Sequence, residues 1–171
     1  MQMLLQFLAR RRVALGFVFG VAVVYLAQPT WRSLGYGAAV ALIGQAMRLW
    51  AAGHLEKSRE VTTSGPYQFT RHPLYVGSSI MALGVAVGCR SVVVAVVVGL
   101  YMATTITAAI RSEEAFLRER FGDAYDAYAE SRGPRVSRRF SWERAWRNKE
   151  YRSVTGLILF LAVLAGRAFW R

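Results

Sequence analysis

Five apolar stretches separated by charged loops predict an all-α chain, folded as a polytopic membrane helical bundle with about five transmembrane helices. Three observations carry this expectation. The chain has 171 residues, room for one domain over 1–171. It is 54% hydrophobic yet holds 22 Lys and Arg, a mixture that is odd in a soluble protein and ordinary in a membrane protein with basic loops. The basic residues lie between the apolar blocks and form no single face. A net charge of +12 would by itself suggest nucleic acid. Its distribution argues against that partner and for a membrane.

The first stretch, 13–29, follows Arg10-Arg11-Arg12 and so resembles a secretory signal. The residues before any cut, Val24-Tyr25-Leu26-Ala27, lack a small residue at the third position from the end, so a retained helix is expected. The second stretch covers 34–53. The third, 74–89, and the fourth, 91–110, meet at Gly88-Cys89-Arg90-Ser91, a tight turn that suits an antiparallel helical hairpin. The fifth is 153–170. A spanning helix needs about 20 residues, so the first, third and fifth are short. Cys89 is the single cysteine, which excludes an internal disulfide and leaves a small semi-buried filler as its expected role. Glycines lie mostly inside the apolar runs, where close helix packing accounts for them.

Lys and Arg set the expected orientation. Arg10–Arg12 place the N-terminus in the cytoplasm. Alternation then puts 54–72 and 111–152 inside and the Arg32 and Arg90 loops outside. The inside loops carry Lys57, Arg59 and Arg71, then eleven basic residues from Arg111 to Arg152, against one in each outside loop. Arg167 and Arg171 at the outer C-terminus sit against the rule. The 74–110 hairpin then brings its two flanking segments to the same cytoplasmic end.

Those two segments hold the chemistry. In the first, Gly65-Pro66-Tyr67 reads as a turn and Pro73 suits the first position of a helix, which puts His72 at or just before its N-terminus. Unpaired N–H groups, with Arg71 beside them, would attract an anion there. Snorkelling of Arg71 and His72 to lipid headgroups is the competing reading. Tyr75 lies three residues after His72 on one helix face, and Gly77 permits close approach of a backbone or a ligand. Tyr75 as an interfacial belt aromatic is its alternative.

In the second segment Thr107, Ile110, Glu114, Leu117, Phe121, Tyr125 and Tyr128 recur at helical spacing, mostly as packing. Glu114 interrupts this apolar stripe and needs a partner, either Arg71 or a ligand group. Glu113 points roughly 100° away, to solvent or to the third helix. Gly122 would end the helix and Asp123 would cap a short successor. Among Arg132, Arg135, Arg138 and Arg139 physics selects none for a site, and a lipid-facing basic patch accounts for most. With His54 and His72 the only histidines, no metal site is expected.

Arg71-His72-Pro73-Leu74-Tyr75-Val76-Gly77, preceded by Gly65-Pro66-Tyr67, resembles the isoprenylcysteine carboxyl methyltransferase and phospholipid methyltransferase family. Glu113-Glu114-x-x-Leu117-x-x-x-Phe121-Gly122-x-x-Tyr125-x-x-Tyr128 is similar to its second motif, and the two cover about 60–136. The resemblance implies an integral membrane methyltransferase using S-adenosylmethionine, with a cytoplasmic cofactor pocket and a lipid or lipid-like apolar acceptor. It implies that Tyr67, His72, Tyr75 and Gly77 line the cofactor site, that Glu113 and Glu114 contact the cofactor or hold the site together, and that Arg135, in Pro134-Arg135, orients an acidic acceptor group; an amine or thiol acceptor would need a base, for which Glu114 or His72 could serve. The family often has a second proline after that arginine, whereas this chain has Val136-Ser137. In-line transfer from a sulfonium needs mainly positioning and exclusion of water, so a site with neither triad nor metal suits it. Two other readings compete. Sterol-type reductases carry a similar Arg-His-Pro segment and use NADPH, and a membrane scaffold would bind lipid headgroups without catalysis.

Overall fold

A computed structural model describes residues 19–57, 59–130, 132 and 136–170. The described residues are helical, with no strand among them. Helix α1 is seen over 19–26. It is followed by α2 (Trp31–His54), a 3-10 turn (Gly65–Gln68), α3 (Pro73–Cys89), α4 (Val92–Phe121), α5 (Asp123–Ala129), α6 (Trp142–Arg147) and α7 (Tyr151–Phe169). The arginine triplet at 10–12 and residues 13–18 of the first apolar stretch lie outside the described residues.

Helix α2 begins in a capping box. Thr30 Oγ1 accepts from the Ser33 N–H at 3.2 Å, and Ser33 Oγ accepts from the Thr30 N–H at 2.9 Å. It packs antiparallel on α3 through glycines contributed by both helices. A Cβ on Gly37 would fall 2.5 Å from Gly84 O, and one on Gly44 would fall 2.5 Å from Met81 N. The reverse holds on α3, where Gly77 abuts Gly44 O and Gly84 abuts the Ala41 backbone. Contact this close replaces side-chain packing by backbone packing, the usual means of joining helices in an apolar medium.

Helix α3 ends with Arg90 in the left-handed region, φ 48° and ψ 43°, and Ser91 caps α4 through its hydroxyl. The expected hairpin turn forms here. The Gln28 N–H donates to Cys89 O at 2.7 Å, so the turn is tied to the α1–α2 connection. Around it sits a core of Val23, Leu34, Cys89, Val94, Val98 and Leu164, drawn from α1, α2, α4 and α7 as well as the turn. Cys89 is a filler there, fully buried rather than the semi-buried residue expected, because the α1–α2 connection and α7 cover the turn. Arg167, against the charge rule, donates to Ala27 O at 3.1 Å and Tyr25 O at 3.3 Å, and so satisfies carbonyls at the end of α1.

Helices α4 and α7 are long and apolar enough to cross a membrane. Helix α3 is apolar but has 17 residues. Helix α2 has 24, diluted by glycine and by Gln45 and Arg48. The bundle shows large apolar side chains outward, among them Ile43, Leu83, Val92, Leu100, Ile158 and Leu159. Apolar surface on this scale calls for an apolar surround, and the protein is membrane-associated.

The end opposite the Arg90 turn is polar. There α6 docks on the C-terminus of α2. Asn148 Nδ2 donates to Ala52 O and Leu55 O, both at 2.9 Å, and Arg144 Nε donates to Gly53 O at 2.8 Å. These bonds satisfy carbonyls that α2 leaves without intrahelical partners.

Candidate functional site

The site is built where α3 starts and α4 leaves its apolar part. Gly65 has φ +58°, and a Cβ there would lie 2.6 Å from the His54 ring, so the turn requires glycine twice over. Pro66 follows as the second residue of the 3-10 turn, and Tyr67, the third, is buried. Tyr128 Oη donates to Tyr67 O at 2.8 Å, which ties this turn to α5. Pro73 is the first residue of α3, and His72 is its N-cap residue, though its side chain caps nothing.

The His72 side chain points instead across to α4. Its Nε2 lies 3.0 Å from Glu114 Oε1, and Arg71 Nη1 lies 3.5 Å from the same oxygen. The anion expected at this cationic corner is therefore supplied by the chain itself. One position earlier, Glu113 lines the cavity described below together with Tyr75 of α3. Adjacent carboxylates thus take different surroundings: Glu114 ties α4 to the start of α3, and Glu113 faces the cavity.

Helix α4 runs unbroken to Phe121, so the stripe read from the sequence is continuous that far. Gly122, at φ 47° and ψ −125°, then turns the chain into α5. Gly122 itself occupies the capping position. Asp123, expected there, is the first residue of α5 and makes no side-chain cap bond. Its charge still complements the positive end of the helix.

These elements enclose a cavity of about 730 Å³, within the range of small-molecule sites. Tyr67, Tyr75, Tyr125 and Tyr128 line it together with Glu113, Arg48 and Arg71. Glu56, Lys57 and Glu60 contribute from the loop after α2, and Leu74, Ala109, Phe116 and Leu117 supply apolar surface. Burial, reinforced by the Glu113 charge, pushes the Tyr67 phenol well above its ordinary range. Burial and the neighbouring Tyr125 push Tyr128 up to about 12. Both hydroxyls are therefore protonated at neutral pH; Tyr128 already spends its proton on Tyr67 O, and Tyr67 keeps its own as a donor.

The residues singled out from the sequence separate into groups. Tyr67, Tyr75 and Glu113 line the cavity. His72 and Glu114 are not among the cavity-lining residues and hold each other beside it. Gly77 is buried at the α2–α3 crossing, where a Cβ would meet Arg48 Cγ at 2.7 Å, so packing alone requires glycine there. Arg135 lies outside the described residues. Arg138, read as part of a lipid-facing patch, pairs with Glu60 at 2.6 Å.

Arg48 was missed. It lines the cavity from α2 and is held by Glu150 in a two-pronged pair, Nε to Oε1 at 2.7 Å and Nη2 to Oε2 at 3.0 Å. Gln45 Nε2 donates to the same carboxylate, and Arg48 Nη1 donates to Ser78. The available signal was an arginine inside an apolar stretch, which needs a partner wherever it is not exposed to water. Tyr125 and Tyr128, read as packing, were missed as lining residues for another reason. Helical spacing shows which residues share a face and not what that face meets.

A family model described as phospholipid methyltransferase matches residues 15–124. The nickel-cobalt-cadmium resistance protein NccN of Alcaligenes xylosoxydans xylosoxydans is 35% identical over 136 residues, 72% of this chain and 63% of the relative. The cobalt-zinc-cadmium resistance protein CzcN of Cupriavidus metallidurans is 38% identical over 87 residues, 50% of this chain and 39% of the relative. The protein-S-isoprenylcysteine O-methyltransferase of Schizosaccharomyces pombe is 34% identical over 85 residues, 50% of this chain and 36% of the relative. This chain therefore spans less than two thirds of the length of each. No solved structure matches it.

Proposed function

The chain belongs to the phospholipid methyltransferase family, and we propose that it is a multi-pass membrane methyltransferase that uses S-adenosylmethionine to methylate a lipid-like or apolar acceptor. The observation that carries this reading is the shared cavity, walled by Tyr67 and Tyr75 from one motif and by Glu113, Tyr125 and Tyr128 from the other. Its donor set suits the cofactor. Four tyrosines offer ring faces and Tyr67 a hydroxyl, and a sulfonium is attracted to both an aromatic face and a carboxylate such as Glu113. The cofactor supplies an activated methyl group on a good leaving group, so the protein has to orient, exclude water and hold charge.

Glu113 and Tyr75 form one wall, Tyr67 donates from the turn, and the Arg71–His72–Glu114 cluster keeps α3 and α4 at the spacing the cavity needs. Arg135 is assigned to the acceptor, where its fork suits a carboxylate or a phosphate. A phospholipid methyltransferase family that includes a relative named as an isoprenylcysteine O-methyltransferase does not select the acceptor atom, which this reading leaves open between oxygen, nitrogen and sulfur.

We place this end of the bundle in the cytoplasm, with about five helices crossing. Lys57, Arg59, Arg71, Arg118, Arg144 and Arg147 gather at it, and Arg32, Arg90 and Arg167 lie at the other. The test is calorimetry on detergent-purified protein with S-adenosylmethionine and, in parallel, NADPH. S-adenosylmethionine alone should bind, and Glu113→Gln should weaken it about tenfold or more. Binding of NADPH instead would move the chain to the reductases. Binding of neither by folded protein would leave the scaffold reading.

A further inference from the structure

Helix α6 is fastened to the bundle by one side. Ala145 is buried, and Arg144 and Asn148 donate to carbonyls at the end of α2. Another side carries Trp142 and Trp146, which are neighbours on the helix surface at a spacing of four. They are 69% and 70% exposed. Phe140 packs edge-on against Trp142 with 5.0 Å between ring centroids, and Tyr151 lies against Trp146 at 4.8 Å. The result is an aromatic row, fixed in place and open along its two tryptophans. Rings held outward in this way need a surround that is apolar and also offers acceptors to the indole N–H groups.

Position and charge identify that surround. Tyr151, which closes the row, is the first residue of α7, a helix long and apolar enough to cross a membrane. The row therefore lies where that helix meets the bilayer boundary, the depth that tryptophan and tyrosine favour. Exposed Trp31 and Trp170 take the matching place at the opposite end of the bundle. Arg139, Lys149 and Arg152 flank the row, all exposed and none with an acidic partner among the described residues. Arg152 reaches over the Tyr151 ring, 6.0 Å from its centroid. Arg144 and Arg147 are committed elsewhere, to Gly53 O at 2.8 Å and to Glu56 at 3.1 Å. Glu143 is the one exposed acid between 139 and 152. Uncommitted cations beside aromatic rings at headgroup depth are complementary to lipids of net negative charge.

We propose that the segment 139–152 is a binding surface for anionic lipid headgroups, with Trp142 and Trp146 seated among the headgroups and Arg139, Lys149 and Arg152 on their phosphates. This goes beyond methyl transfer and stands whether or not the cavity binds S-adenosylmethionine. It gives the protein a lipid preference at the end of the bundle that holds the cavity.

The experiment places the full-length chain, one copy per disc, in phosphatidylcholine nanodiscs. A fixed minor fraction of the lipid is brominated near the top of its acyl chains and is either phosphatidylcholine or phosphatidylglycerol. Bromine quenches nearby tryptophan. The share of Trp142 and Trp146 is the signal lost in Trp142→Phe/Trp146→Phe, where both changes fall on exposed rings and leave the fold intact. Both lipids should quench these tryptophans, and the brominated phosphatidylglycerol should match about a fivefold larger fraction of brominated phosphatidylcholine. High salt should erase that preference and leave the quenching. Arg139→Gln/Lys149→Gln/Arg152→Gln should do the same. Equal quenching by the two lipids would overturn the assignment, as would a preference that survives the triple variant. No quenching by either lipid would put the row in water, and quenching that disappears in discs holding two copies would assign it to a second chain. Both results also overturn it. Cofactor binding plays no part in the readout, so failure of the methyltransferase reading is told apart by the calorimetry above.

Discussion

Glu113 and Glu114 are neighbours in the chain and do different work, because successive helix positions diverge by about 100°. Glu114 joins His72 and Arg71, and Glu113 lines the cavity with Tyr75. The corresponding substitutions should therefore separate. Glu114→Gln should lower stability by about 1 kcal/mol, modest because Arg71 is half exposed, and thermal unfolding will read it. Glu113→Gln should leave the melting temperature within about 1 °C and lose cofactor affinity instead. Equal effects of the two on both readouts would refute the division. Gly65→Ala tests the turn. A left-handed φ and the His54 ring together make the alanine cost about 1–3 kcal/mol.

At the scale of elements, the α2–α3 pair shows what helix contact without side chains requires. Gly37, Gly44, Gly77 and Gly84 occupy places where even a Cβ would strike backbone or a packed side chain. Gly99 on α4 has nothing within 4 Å of its absent Cβ. Gly84→Leu should therefore prise the helices apart and yield aggregated or unfolded protein by size-exclusion chromatography. Gly99→Leu should elute as the unaltered protein does. A monodisperse Gly84→Leu protein would mean that the two helices pack otherwise. Helix α4 makes a second point at this scale. It has 30 residues, more than a membrane span needs, and the surplus carries Glu113 and Glu114 out to the turn from which α3 begins.

Across the whole molecule, the C-terminal part closes the site from the far end of the sequence. Glu150, just before α7, holds Arg48 of α2 and also accepts from Gln45, while Ser153 donates to Gln45 Oε1 at 2.8 Å. With the Glu150 side chain 5% exposed, Glu150→Ala would strand a guanidinium inside the bundle and should cost about 3–5 kcal/mol. Arg48→Met with Glu150→Leu should recover most of that loss, since removing both charges removes the desolvation cost. Thermal melts of the single and double variants decide this, and a double variant no better than the single would show that the pair is more than a mutual neutraliser. The family match ends at residue 124, so this clamp joins the matched part to helices that lie beyond it.

The sequence by itself determined the helices and the ends at which its charges gather. Apolar runs, the Pro73 start, the Arg90 turn and the Gly122 break are local matters, settled by hydropathy and by backbone preferences that each residue carries with it. It also brought the two motif segments together, because a hairpin has only one way to return. Tertiary structure decided which residues those segments present to one another. Glu114 met His72, Gly77 was taken up by a helix crossing, and Arg48 found Glu150 across 102 residues. The rotation of a helix about its axis follows from everything packed against it, and so does the partner of each polar side chain.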